Sequence, residues 1–274
     1  MWFLVELPVG DSLQFFPCTR HLPIEFREDT LSDRHSVASI DVAHEHLKRH
    51  SSLVSQPPPA RQIFVTGGTG YLGRRLIPRL LDRGHRVRAL VRPGSEVRLH
   101  PGAEPVRGDA LHGISYAGSV GPADTFVHLI GVARPSPAKA QEFLRVDLAS
   151  VAAAVPAAVT AGVRHFVYVS VAQPAPVMQA YVAARARGEE IIRESGLAAT
   201  MIRPWYVLGP GHWWPVVLVP GYWLASLWPG TRNTARRLGL VTLEQMLRAL
   251  VFSIEQPADG LRLLEVPHIR RMPS

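Results

Sequence analysis

The stretch from Ile63 to Gly73, reading IFVTGGTGYLG, limits the fold more than any other part of the chain. A run of apolar, strand-favouring residues stops at Gly67, Gly70 and Gly73, and an amphipathic segment with helical spacing follows. Each glycine has its own physical use. Gly67 permits a tight turn off the strand, Gly70 lets the backbone approach a pyrophosphate, and Gly73 lets the helix pack closely on the strand. The first amides of such a helix have no partner within it and carry a partial positive charge, which suits an anion. Strand, spacing and helix together predict a dinucleotide held against Thr66, Gly67, Gly68, Thr69, Gly70, Tyr71, Leu72 and Gly73.

The surrounding texture gives the fold class. From Arg61 onward short apolar runs alternate with amphipathic stretches, the rhythm of an α/β protein whose parallel sheet is covered on both faces, a doubly wound Rossmann-type sheet. Strands are expected at Gln62–Thr66, Arg86–Val91, Glu104–Arg107, Thr125–Ile130, His165–Ser170 and Ala199–Arg203. Helices are expected at Tyr71–Arg83, Ala138–Ala161 and Met178–Ser195, with Gly84, Gly162 and Gly196 just past their ends as stops. Pro78 and Pro156 lie inside two of them, where kinks are expected. After Arg203 the rhythm gives way to Pro-, Gly- and Trp-rich sequence and one more helix near Leu243–Ser253. The segment from about 204 to 274 reads as a small cap on the substrate side of a domain spanning 61–274.

Residues 1–60 read as a poorly ordered extension that ends in Pro57, Pro58 and Pro59, a stiff linker. His46 and His50 have helical spacing, with His35 and His44 nearby, but no cysteine or carboxylate pattern accompanies them, so no metal site is expected. Cys18 is the only cysteine, which rules out an intramolecular disulfide and fits a reducing cytoplasm. The first residues have no basic region ahead of their apolar stretch, and the apolar run Pro215 to Pro229 is interrupted by Pro220 and Gly221, so neither a secretory signal nor a transmembrane segment is expected. The net charge of +8 attracts any polyanion and does not choose among them. No helix-turn-helix or interleaved basic and aromatic pattern supports a nucleic-acid partner.

The end of the second strand selects between the two nicotinamide cofactors. An acid there would grip a ribose diol, whereas a basic residue would accept an extra phosphate. The sequence reads RALVRPGS with no acid, so NADP(H) is favoured over NAD(H), with Arg92 as first phosphate partner and Arg74 as second. Asp109 and Ala110 follow the third strand and face the adenine through the carboxylate or through the adjoining backbone. Leu129, Ile130 and Gly131 end the fourth strand beneath the ribose.

Taken together, TGGTGYLG, LVRPGS, the GD after strand three, FVYVS, Tyr181-x-x-x-Arg185 and the IRPWYVLGPG segment from Ile202 to Gly211 resemble the extended and atypical short-chain dehydrogenase/reductase superfamily. Within it the chain is most similar to the NAD(P)H-binding branch of NmrA-like regulators and the nucleotide-binding accessory subunit of respiratory complex I. In catalytic members a serine polarises the substrate oxygen, a tyrosine exchanges the proton, and a lysine four residues later lowers the tyrosine pKa and holds the ribose. The resemblance implies these roles for Ser170 and Tyr181, with Arg185 at the lysine position, and places Arg203 and Pro204 near the nicotinamide. Arginine can supply the charge a phenol needs, but it is planar and stays protonated, so it cannot join a proton relay. Lys48 and Lys139, the only lysines, lie elsewhere.

Two functions follow. One is an NADP(H)-dependent oxidoreductase or epimerase/dehydratase using Ser170, Tyr181 and Arg185; the other is a non-catalytic NAD(P)H-binding sensor or assembly subunit. Trp205, Tyr206, Trp213, Trp214, Tyr222, Trp223 and Trp228 crowd the late segment and suggest a small-molecule substrate of apolar or lipid-like character, or a docking surface for a homo-oligomer or larger complex.

Overall fold

Strands buried on both faces must be apolar on both, and the central strands of this chain meet that condition. The computed structural model describes residues 59–211, 217 and 237–272. The chain divides between Gln56 and Pro57, and the second unit, Pro57–Ser274, carries all of these. The strands are β1 (Gln62–Thr66), β2 (Arg86–Val91), β3 (Glu104–Arg107), β4 (Thr125–His128), β5 (His165–Val169) and β6 (Ala199–Arg203), followed by β7 (Tyr206–Leu208), β8 (Leu240–Thr242) and β9 (Leu261–Glu265). Seven of them form one parallel sheet in the order β3-β2-β1-β4-β5-β6-β9, while β7 and β8 pair separately. The order reverses between β1 and β4, and the carboxyl ends of these two strands border the crevice where such folds bind nucleotides.

Alternation along the strands builds two cores. Ile63 and Val65 of β1 join Leu76, Ile77 and Leu80 of α1 (Gly73–Asp82) and Met246, Leu247 and Leu250 of α4 (Leu243–Glu255) on one face. Phe64 faces the other way. There Tyr116, Phe64, Phe126 and Phe166 form a row with ring centroids 6.0, 5.1 and 5.0 Å apart, closed over by Val151, Ala154 and Ala158. Burying each of these aromatic rings contributes about 1.5–3 kcal/mol or more, which makes the row a principal source of stability.

The helical run Pro137–Thr160, here α2, is by length and composition able to cross a membrane, and 44% of its most apolar window is buried. Its inner side chains belong to the second core. It is not regular: Phe143–Leu148 forms a π-helical stretch before the α-helical part Ala149–Thr160. Wide turns of this kind redirect side chains, and the two buried residues of this one are Phe143 and Asp147. The helix α3 (Gln179–Glu194) follows β5, and α5 (Val266–Arg270) follows β9.

The first, second, third and sixth strands have the expected bounds, whereas β4 and β5 stop short of the expected ends at Ile130 and Ser170. Pro78 and Pro156 lie within continuous helix, and neither ends it. The late segment does more than cap. It supplies β9 to the sheet and α4 to the first core, and α4 opens with a capping box in which Thr242 and Gln245 bind each other's backbone amides at 3.2 and 2.8 Å. The histidines of the extension, Cys18, Lys48, Trp213, Trp214, Tyr222, Trp223 and Trp228 lie outside the described residues.

Candidate functional site

The glycine turn closes on itself without spare volume. Gly67 has φ of +78°, and a Cβ there would lie 3.0 Å from the Leu129 carbonyl. At Gly73 an added Cβ would come within 2.6 Å of the Gly68 Cα, so the helix start presses directly on the turn. Gly70 is exposed, and its added Cβ would meet only the Gly67 oxygen at 3.1 Å. The start of α1 receives no side-chain cap and has no acid in its first turn. The Arg74 and Arg75 amides meet the Gly70 and Leu72 carbonyls at 3.1 and 3.0 Å, so what the helix start lacks is a negative charge, which a pyrophosphate would supply. Tyr71 carries the Arg75 guanidinium 4.2 Å above its ring and packs its hydroxyl against Gly209, which brings the GPG segment to the turn.

Past the end of β2, Arg92-Pro93-Gly94-Ser95 is a tight turn in which the Ser95 amide donates to the Arg92 carbonyl at 2.9 Å and Gly94 has φ of +80°. Proline followed by a left-handed glycine is the signature of a type II turn, so Arg92 projects from a rigid support. It is exposed at the end of β2, and Arg98 stands beyond it with a hydrogen bond to the Ser95 hydroxyl at 2.9 Å. The Asp109 carboxylate accepts from the Leu111 amide at 3.0 Å and pairs with His112 at 2.9 Å. The Leu111 amide first, then His112, hold its pKa below the ordinary value. Ala110 beside it is half-buried.

A hydrogen-bonded line runs inward from the turn. The Ser150 hydroxyl donates to the Asp147 carbonyl at 3.1 Å, so it accepts from His128 Nε2–H, also at 3.1 Å. Nδ1 of His128 then accepts from the Thr66 hydroxyl at 2.9 Å. Thr66 therefore turns its side chain into the protein. Burial, aided by the Arg185 charge, pushes His128 down to about 3; burial with the charges of Arg262 and Arg61 pushes His165 down to about 4. Unfolded imidazoles take up protons near pH 6.5, so below that pH the unfolded state binds more protons than the folded one. Stability is expected to fall as pH drops from 6.5 to 5, by up to about 1.4 kcal/mol per unit for each histidine. Denaturant unfolding at pH 7, 6 and 5 checks this, and a flat profile would contradict it.

At the other end of the crevice, helix α3 begins after Met178, whose φ of +59° is left-handed. Tyr181, in the first turn, is half-buried with its ring 5.0 Å from Phe143 and the Arg185 guanidinium 5.5 Å from its centroid. Arg185 is buried. It donates to the carbonyls of Val169 at 2.8 Å and Ile130 at 3.1 Å and pairs with Asp147 at 2.5 Å. Burial opposes the Arg185 charge, but Tyr181, Tyr168 and Asp147 outweigh it and hold the guanidinium's pKa above its ordinary value.

One turn further along α3 lies Glu189, fully buried. Its carboxylate accepts from Ser170 at 2.6 Å, Gln173 at 2.9 Å, Arg203 at 2.8 and 2.5 Å and Arg193 at 2.7 Å. The Ser170 proton is thereby committed to Glu189, and Arg203 spans from Glu189 to Glu265 at 3.9 Å. Pro204, buried, accepts the Ala172 amide through its carbonyl at 2.9 Å. The fold thus gathers Tyr181, Arg185 and Gly131 at one place and ties Ser170 and Arg203 together at another, joined through α3.

The sequence reading did not single out Asp147 or Glu189. A signal for Glu189 was present, because Tyr181, Arg185, Glu189 and Arg193 recur every four residues and put a polar stripe on a helix that must bury one face. Nothing comparable marked Asp147, whose inward direction comes from the π-helical stretch.

Comparison with known proteins gives the family and the fold. A family model described as NAD(P)H-binding matches residues 67–210. Over 214 residues the chain is 29% identical to a ceramide reductase of Caulobacter vibrioides (strain NA1000 / CB15N), covering 76% of this chain and 65% of that protein. Over 113 residues it is 35% identical to a 3-beta-hydroxysteroid dehydrogenase of Mycolicibacterium neoaurum, covering 39% and 31%. The chain thus spans less than two thirds of the length of either relative. In fold it is similar to the Bordetella bronchiseptica enzyme WbmH in complex with NAD+, with a TM-score of 0.55, 19% identity and coverage of 74% of this chain and 75% of that one.

Proposed function

The chain belongs to the NAD(P)H-binding family, and from that premise we propose that it is an NADP(H)-dependent oxidoreductase of the atypical short-chain dehydrogenase/reductase type. Its substrate, on this reading, is an alcohol or carbonyl group of an apolar, lipid-like molecule. The nicotinamide would supply or accept a hydride, and the protein's part is to bind, orient and exchange a proton.

The observation that carries the reading is the position of Tyr181. Its half-buried phenol stands in the first turn of α3, on the half of the sheet that follows the reversal of strand order, with Phe143 and Arg185 fixing its ring. The proposed cofactor contacts are the turn from Thr66 to Gly73, Arg92, Asp109 and Ala110, and the backbone of Leu129, Ile130, Gly131 and Pro204. Arg203 would act from behind through Glu189. The names of the two relatives, a ceramide reductase and a hydroxysteroid dehydrogenase, favour reduction or oxidation of a lipid-like molecule over epimerisation. Preference for NADP(H) rests on Arg92, exposed on its rigid turn with no acid at the end of β2.

A second reading, a non-catalytic NAD(P)H-binding sensor or assembly subunit, is favoured by one specific observation. Ser170 and Arg185, expected from the resemblance to polarise a substrate oxygen and to supply charge to a phenol, spend their donors on Glu189 and on the carbonyls of Val169 and Ile130.

Calorimetric titration with NADPH and NADH, repeated on Arg92→Asp, tests the cofactor assignment. NADPH is expected to bind the wild type more tightly, and Arg92→Asp to weaken it by roughly tenfold or more while leaving NADH within a few-fold, because a charge-assisted phosphate contact is lost and a like charge is introduced. Equal affinities for the two nucleotides in the wild type would sink the NADP(H) preference.

A further inference from the structure

Gly131 is exposed on its outer side, yet a side chain there has nowhere to go on the inner side. An added Cβ would overlap the Arg185 guanidinium and lie 3.1 Å from Asp147 Oδ1. The guanidinium therefore lies directly beneath the backbone that follows β4. Its two hydrogen bonds reach the carbonyl of Ile130, just after β4, and that of Val169, at the end of β5. They tie together two neighbouring strand ends. Asp147 closes the arrangement from α2, neutralising the guanidinium at 2.5 Å and holding the Val132 amide at 3.1 Å.

In a doubly wound sheet the two halves of a dinucleotide lie over the two halves of the sheet. The glycine turn, β2 and β3 serve the adenine half; β4, β5 and β6 serve the nicotinamide half. The side-chain bonds of Arg185 and Asp147 do not reach the first set, and the Asp147 carbonyl is linked to it only through Ser150 and His128. Resting on the reading that the chain binds NADP(H), we propose that the Arg185–Asp147 pair is a positioning element that fixes the floor of the nicotinamide half-site. The Arg185 charge is paired with Asp147 on one side while its face stays beside the Tyr181 ring, 5.5 Å from the centroid. A planar fork can bridge two carbonyls and a carboxylate at fixed angles, which a point cation on a flexible stem cannot. Arginine here thus adds to a charge beside a phenol a clamp that sets backbone position.

The test is calorimetry on the full chain with two probes, NADPH and 2′,5′-ADP, the second carrying the adenine half alone. In the double variant Asp147→Asn/Arg185→Gln no buried charge is left unpaired, so a folded protein is expected. NADPH affinity should fall about tenfold or more while 2′,5′-ADP affinity stays within twofold. Should that variant not fold, Gly131→Ala presses on the same guanidinium from the opposite side, its methyl directed into the protein rather than at the nucleotide, and carries the same expectation. Wild-type NADPH affinity in either folded variant would overturn the proposal, as would an equal loss for both probes. A wild-type protein that binds neither probe would instead overturn the NADP(H) reading on which the proposal rests.

Discussion

Replacing Glu189 by alanine is expected to lower stability by about 3–5 kcal/mol, the usual effect of removing one member of a buried charge cluster and leaving the other without compensation. Arg203 is the group left behind: 13% exposed at its side chain, it keeps only Glu265, 3.9 Å away. The Ser170 hydroxyl and the Gln173 amide lose their acceptor at the same time. For a domain of this size about 1 kcal/mol corresponds to roughly 2–4 °C, so the melting temperature should drop by on the order of 10 °C. Arg193→Ala is the contrast. Its side chain is 42% exposed, and removing it should cost less than about 1 kcal/mol. Urea unfolding of both variants decides the matter; a Glu189→Ala protein within about 1 kcal/mol of wild type would mean that water satisfies Arg203 and that the cluster does not hold β5, β6 and α3 together.

Tyr181→Phe separates the two functional readings. The substitution keeps the ring, and with it the contact to Phe143 and the face presented to Arg185, and removes only the hydroxyl. If the phenol exchanges a proton with substrate, turnover of any alcohol or carbonyl compound the wild type processes should fall by about 10²–10⁴, the usual contribution of a positioned acid or base. NADPH affinity and stability should change little. Unchanged turnover would remove Tyr181 from the chemistry and leave the binding protein as the better account.

The glycine turn, the β-α rhythm and the absence of an acid after β2 were all legible in the sequence, because each depends on local physics. A strand that must be apolar, a turn that must lack a Cβ and a helix that must begin there are decided within a dozen residues. The first, second, third and sixth strands follow from this with their bounds. The edge strand β9 did not, since an edge position leaves Leu261 and Leu263 exposed and blurs the apolar signal.

Chemistry in the second half of the site was decided only by tertiary structure. Ser170, Tyr181 and Arg185 are visible as residues in a sequence, but which acceptor each side chain meets depends on residues far away along the chain. Arg185 meets Asp147 because the π-helical stretch of α2 turns that carboxylate inward and because Gly131 has no side chain to stand between them. Ser170 meets Glu189 because α3 presents its polar stripe to the ends of β5 and β6. The sequence by itself determined a nucleotide-binding Rossmann protein, since glycines and apolar periodicity act locally. What the partners of its charged groups are, and hence what those groups remain free to do, was decided by packing, because a buried charge is held wherever the fold supplies its counter-charge.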